Sequence, residues 1–234
     1  MKMFFKKNES LIIFTVNIWI SIALFTILAP SVALAGVPAP IDEVVARLQQ
    51  TYDKTRDFSA NFIQETTIQS IKKTDIEEGT VFFKNPKNML WNYSKPKAKK
   101  LVINPHKTWL YLPQDKVAYT QEADQTFKSS ILMKFLSGLG KLKNDFAIKY
   151  VEPEALDKQG NYLLVLTPLE KNSSLNPFQV TVDKSTSLIL RVSFEDTMGN
   201  STVLKFSNIS TNTGLSEKMF QFKPPEGVSI FNMP

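Results

Sequence analysis

Phe58-Ser-Ala-Asn-Phe62 places apolar side chains at every second position, and 89–93 (Met-Leu-Trp-Asn-Tyr) and 109–111 (Trp-Leu-Tyr) repeat this spacing with large side chains. Successive side chains of a β-strand point to opposite faces of its sheet, so a period of two predicts strands with one buried face. These three stretches therefore predict a mainly β protein.

Further runs rich in Val, Ile, Phe and Tyr also predict strands, and Pro, Gly, Asn and Asp separate them. They are 101–104, 116–120, 146–151, 161–167, 177–183, 187–195, 201–209 and 219–222. Many short strands at such spacing predict an antiparallel meander that curls or closes. The scarcity of helical segments between them argues against a parallel sheet.

Two segments have helical rather than strand periodicity. In 41–55 the apolar residues recur three and four positions apart, and Asp42 and Glu43 follow Ile41, which predicts an amphipathic helix. In 129–142 a wide apolar stripe predicts a helix to about Ser137 and a loop after it, because glycine disfavours helix. The open face of a curled sheet is the natural place to bury that stripe.

The N-terminus has the segment order of a secretory signal peptide. Basic residues come first, an apolar run over 11–28 follows, and Ala33-Leu34-Ala35 offers small residues for cleavage. We expect residues 1–35 to be removed and 36–234 to act as one exported domain in the periplasm. The alternative is that the apolar run is retained as a membrane anchor.

Composition limits the chemistry that this chain offers. It has no cysteine, and its one histidine, His106, lies in a turn-like stretch. A histidine metal site or a Ser-His-Asp triad needs more than this, so we expect no enzyme activity, no metal and no cofactor. The net charge of +6 is mildly basic. We expect no nucleic-acid partner, because the protein is expected to act outside the cytoplasm. Four lysines within 95–100 are interpreted as a solvated loop or strand edge rather than as a contact for phosphate or anionic lipid.

The chain is rich in aromatic residues, with 17 Phe, 6 Tyr and 3 Trp. One interpretation is an ordinary core. The other is that some of these side chains line a cavity for an apolar ligand, beneath the helix expected over 129–142. Periodicity alone does not separate the two.

The order of several short motifs resembles the periplasmic outer-membrane lipoprotein carrier family, of the LolA type, over the whole expected mature length. The matching pieces are Phe58-Ser-Ala-Asn-Phe62-Ile-Gln64, Glu78-Gly79-Thr80, Lys84-Asn85-Pro86 with Met89-Leu-Trp91-Asn-Tyr93, Trp109-Leu-Tyr111, Leu166-Thr-Pro168, Asp196-Thr-Met-Gly199-Asn200 and Phe220-Gln-Phe222-Lys-Pro224-Pro225-Glu-Gly227-Val228. No single piece is diagnostic, but their order and spacing together are specific.

The resemblance implies an unclosed antiparallel β-barrel with a helical lid over a hydrophobic cavity. It also implies a monomeric chaperone that accepts acylated lipoproteins from an inner-membrane ABC-type releasing complex and delivers them to an outer-membrane receptor. The alternative is a carrier or sensor of another lipid, such as a glycolipid, with the same half-barrel.

The resemblance also assigns residues. The implied cavity residues are Phe62, Met89, Trp91, Tyr93, Trp109, Tyr111, Phe178 and Val180, and the implied lid residues are Ile131, Leu132, Phe135 and Leu136. One departure concerns Asn85, because well-known members have an arginine before this proline, where it contacts the lid. An asparagine can still donate to a carbonyl but has no charge, so Asn85 is only a candidate lid contact.

Overall fold

A computed structural model of the 234-residue chain describes residues 37–129, 135–136, 141–170 and 175–233. The chain divides into two units, 1–34 and 35–234, and every described residue belongs to the second, which is compact. That residues 1–35 are a cleaved signal peptide stays a prediction. The predicted lid residues Ile131 and Leu132 lie outside the described residues, whereas Phe135 and Leu136 are described.

Strands dominate the second unit. They are β1 (Asp57–Ile68), β2 (Lys73–Lys84), β3 (Asn88–Lys95), β4 (Lys99–Ile103), β5 (Lys107–Leu112), β6 (Val117–Glu122), β7 (Phe146–Tyr150), β8 (Tyr162–Pro168), β9 (Phe178–Val182), β10 (Ile189–Glu195), β11 (Ser201–Thr211) and β12 (Ser229–Asn232).

All twelve strands join one sheet in the order β12-β6-β5-β4-β3-β2-β1-β11-β10-β9-β8-β7. Its two edges, β12 and β7, do not pair with each other, so the sheet is unclosed. The predicted mainly β, half-barrel fold is confirmed. One detail was not predicted: β12 pairs with β6 in parallel, whereas the other pairs are antiparallel.

The described residues include the α-helices α1 (Ile41–Lys54), α2 (Ala123–Ser129) and α3 (Leu142–Asp145). The helix predicted over 41–55 is confirmed, and it buries Val44, Val45 and Leu48 against the sheet. The strand predicted over 219–222 is wrong. Residues Glu217–Phe220 form a 3₁₀ turn capped by Ser216, and this turn buries the ring of Phe220.

The face of the sheet that carries Phe62 is called the inner face here. Phe62 lies opposite Gly79 of β2, and Gly79 lies opposite Tyr93 of β3. The missing side chain of Gly79 leaves room for the rings of Phe62 and Tyr93 to meet with centroids 4.9 Å apart. Helix α1 and residues of nine strands share one core with this face.

A smaller apolar cluster lies on the outer face, where the chain after β11 crosses the sheet. Phe222 packs against Trp109 and Tyr111 at centroid distances of 5.7 Å and 5.2 Å. Asp57 begins β1 and anchors this C-terminal segment at its start. Its buried carboxylate accepts hydrogen bonds from the backbone N–H groups of residues 213–215.

Candidate functional site

The inner face of β1–β4 consists of rows of side chains that lie side by side across the strands. The first row is Phe58, Phe83, Met89 and Ile103; the second is Ala60, Val81, Trp91 and Leu101; the third is Phe62, Gly79, Tyr93 and Lys99; the fourth is Gln64 and Glu77. The first two rows are entirely apolar apart from the Trp91 nitrogen, whereas charge and amide groups appear in the last two.

The polar groups of the third and fourth rows bind one another. The Tyr93 hydroxyl donates to Oε1 of Gln64 at 3.0 Å. Nζ of Lys99 lies 2.7 Å from Glu77 and 4.2 Å from the centroid of the Tyr93 ring, which is a cation–π contact. Burial, and then the charge of Glu77, raise the pKa of the Tyr93 hydroxyl, so it remains a neutral donor.

Trp91 lies at the boundary between the apolar and polar rows. Its side chain is 5% exposed, and its ring packs edge-on against Phe62 with centroids 4.9 Å apart. The buried Nε1 of Trp91 has no hydrogen-bond partner among the described residues. Buried donors normally have partners, so this nitrogen needs an explanation.

Phe135 fills the inner face on the other half of the sheet. Its ring is 2% exposed and lies 5.2 Å from the ring of Phe178 in β9 and 5.8 Å from that of Phe146 in β7. Tyr52 of α1 contacts it from the helix side at 6.3 Å. A side chain from the predicted lid segment is therefore part of the core.

Leu136 borders a small apolar cavity of about 60 Å³ at the end of the inner face. The other lining residues are Thr51, Tyr52, Thr55, Phe58, Phe83, Leu188 and Ile189. Drug-sized ligands occupy pockets of roughly 300–1,000 Å³, so this cavity is too small for a long acyl chain. Burial raises the pKa of Tyr52, which keeps the hydroxyl neutral in this setting.

The structure brings most of the predicted cavity residues together on the inner face: Phe62, Met89, Trp91, Tyr93, Phe178 and Val180. Trp109 and Tyr111 differ from the prediction, because the sheet register places them on the outer face. Trp109 lies opposite Val102, whose neighbours Leu101 and Ile103 face inward. A shift of one residue along a strand changes the face, and nothing in 109–111 itself reveals which face is inner.

Asn85 donates from Nδ2 to the carbonyl of Thr55 at 2.7 Å, at the end of α1. Its backbone N–H donates to the carbonyl of Arg56 at 2.9 Å. Asn85 therefore fastens the β2–β3 turn to the junction of α1 and β1. A contact with the undescribed part of 129–142 stays a prediction.

Sequence reasoning missed the polar end of the inner face. Lys99 belongs to the lysine cluster that was interpreted as solvated, yet it faces inward, with 28% of its side chain exposed, and pairs with Glu77. The spacing of Lys99 and Leu101 on β4 predicts that the two side chains share a face. The pairing of β4 with β3 decides that this face is the inner one, and the local pattern does not specify that pairing.

An unclosed sheet with an apolar inner face, covered in part by helix, defines a half-barrel protein. The family model described as outer membrane lipoprotein carrier protein LolA matches residues 53–223, which is more than half of this chain. The chain belongs to the LolA family of outer-membrane lipoprotein carrier proteins and is a carrier of that type.

Curated relatives agree over most of their length. An outer-membrane lipoprotein carrier protein of Methylococcus capsulatus is 26% identical over 186 residues, covering 80% of this chain and 86% of that protein. The corresponding protein of Neisseria meningitidis serogroup B is 26% identical over 209 residues, covering 89% of this chain and 97% of its own.

A solved structure shares the fold. An uncharacterized conserved protein from Thermus thermophilus superposes with a TM-score of 0.53 at 14% identity, covering 82% of this chain and 99% of that chain. Among the described helices of the present chain, none is long and apolar enough to cross a membrane.

Proposed function

We propose that this protein shields the acyl chains of lipoproteins in the periplasm, after their release from the inner membrane by an ABC-type complex, and delivers them to an outer-membrane receptor. The family supports a lipoprotein carrier. The buried Phe135 supports the shielding of acyl chains. This side chain, from the predicted lid segment, occupies the apolar face that acyl chains would need.

In this proposal the acyl chains replace the segment that contains Phe135 and Leu136. They then contact the inner-face residues, of which Phe62, Met89 and Trp91 lie on β1 and β3 and Phe178 and Val180 lie on β9. Leu136 borders the 60 Å³ cavity next to Phe58 and Phe83, so its departure would enlarge that cavity at one end of the face.

Displacement of Phe135 by an acyl chain lowers the net affinity of the protein for lipid. A carrier requires such a limited affinity, because it must release its cargo. Burial of a methylene contributes about 0.8 kcal/mol, and burial of a phenylalanine side chain about 1.5–3 kcal/mol. Displacing Phe135 therefore offsets the burial of roughly two to four methylenes. A lipid with partly buried chains is then held firmly enough to cross water and weakly enough to be handed on.

A release assay tests this function. Purified protein without residues 1–35 is added to proteoliposomes that contain the ABC-type releasing complex and a labelled lipoprotein, with ATP. We expect lipoprotein in the soluble fraction in a one-to-one complex with this protein. Lipoprotein that stays in the membrane fraction, while a relative from the carrier family releases it, would overturn the proposal.

Native mass spectrometry of protein purified from the periplasm separates the cargo classes. A mass increment equal to a lipoprotein supports the proposal. A glycolipid or free-lipid increment in its place would assign the same face to another lipid and would refute lipoprotein delivery.

A further inference from the structure

The inner face of β1–β4 changes from apolar to polar along the strands. On β3 it runs from Met89 through Trp91 to Tyr93, and on the neighbouring β4 it runs from Ile103 to Lys99. An acylated molecule has the same division, since its methylene tail is apolar and its linkage and head are polar. The face is therefore suited to bind such a molecule in one direction only.

Trp91 lies between the apolar part and the polar part of this face. Its buried Nε1 has no hydrogen-bond partner within the part of the chain that the structure describes, and its ring neighbours Phe62 and Phe206 provide aromatic carbon rather than an acceptor. The nearby Tyr93 hydroxyl is already bonded to Gln64. An unpaired buried donor destabilises the free protein, and a ligand acceptor at this point removes that penalty.

We propose that the Trp91 indole N–H donates a hydrogen bond to the carbonyl oxygen at the head of a bound acyl chain. The methylene tail then extends over the Met89 end of the face, and the polar part of the lipid lies toward Tyr93 and Lys99. This assignment rests on the proposed carrier function, because it requires an acyl chain on the inner face.

A matched pair of ligands tests the assignment. One is a synthetic cysteine lipopeptide with ester-linked palmitoyl chains, and the other is its analogue with ether-linked hexadecyl chains, which lacks the ester carbonyls. We expect the purified protein to bind the ester ligand about fivefold to tenfold more tightly, as for one hydrogen bond. Isothermal titration below the ligands' aggregation threshold measures both dissociation constants.

Trp91→Phe removes the donor and keeps an aromatic ring. We expect this variant to bind the ester and ether ligands with the same affinity. The ratio of the two dissociation constants therefore reports the loss of the donor, because the smaller ring weakens the apolar contact with both ligands alike. Trp109→Phe is the matched control, because Trp109 packs against Phe222 on the outer face, and its ester preference should match the wild type.

Equal affinities of the wild type for both ligands would overturn the assignment and leave the carrier function standing. A preference that persists in Trp91→Phe would also overturn it, since another group would then recognise the carbonyl. Failure to bind either ligand would instead refute the proposed function.

Discussion

Phe135→Ala should increase the affinity of the protein for an acyl chain, although it removes a core side chain. Phe135 is 2% exposed and packs between Phe178, Phe146 and Tyr52. If its segment must leave before lipid binds, the observed dissociation constant equals the intrinsic one divided by the open fraction. The substitution weakens the closed state and so raises that fraction.

The magnitude follows from the burial of the ring. Truncation of a buried phenylalanine to alanine typically removes 3–5 kcal/mol in a fixed core. A segment that can open loses less, and we take about 2 kcal/mol from the burial of the side chain alone. That corresponds to a gain in affinity of up to roughly thirtyfold, with a plateau once the open form predominates.

Phe178→Ala is the matched control, because this ring is equally buried in the same cluster but belongs to strand β9. Phe178→Ala should lower the free energy of unfolding by at least as much as Phe135→Ala. It should also weaken lipid binding, because it removes part of the binding surface. Fluorescence titration with a labelled palmitate gives the affinities, and urea unfolding gives the stabilities. Binding by Phe135→Ala that is unchanged or weaker than wild type would refute the displacement of this segment.

Three further predictions concern the scaffold. Gly79→Ala should destabilise the fold by about 2–3 kcal/mol in urea, because the new Cβ would lie 2.2 Å from the Asn92 carbonyl oxygen; an unchanged midpoint would contradict this. Asp57→Asn should remove about 2 kcal/mol at pH 7. Burial opposes ionisation there, but the hydrogen bonds prevail and lower the pKa of Asp57 below 3.8, so its contribution should decline as the pH falls through that lowered pKa; a difference from wild type that does not decline as the pH is lowered below 3.8 would argue otherwise. Asn85→Ala should cost about 1 kcal/mol through its bond to Thr55 but leave lipid release intact, and a variant that no longer releases lipid would show a functional role.

Much of the fold could be predicted because most strands alternate and most turns contain Pro, Gly, Asn or Asp. Helix α1 was predicted to within one residue at its end. The C-terminal region could not be predicted in this way. Phe220 and Phe222 resemble part of a strand, yet Phe220 is buried from a 3₁₀ turn and Phe222 packs against Trp109 and Tyr111 on the outer face. The chain then rejoins the sheet as β12.

The candidate site was predicted less completely. Alternation within β3 places Met89, Trp91 and Tyr93 on one face, and family resemblance assigns that face to the cavity. The same alternation within β5 says equally firmly that Trp109 and Tyr111 share a face, but it does not say which one. Because the C-terminal segment covers part of the outer face, Trp109 and Tyr111 pack against Phe222 there and are half-buried on the side opposite the core.

The sequence by itself determined most of the local elements before the C-terminal region, the unclosed mainly β class and the family, since these depend on periodicity, turn chemistry and motif order. Only the tertiary structure decided which face each strand directs inward, that Phe135 fills that face, and that no described residue bonds to the Trp91 nitrogen. The physical reason is that strand register and the covering of each face depend on contacts between residues far apart in the chain. A local pattern carries no information about those contacts.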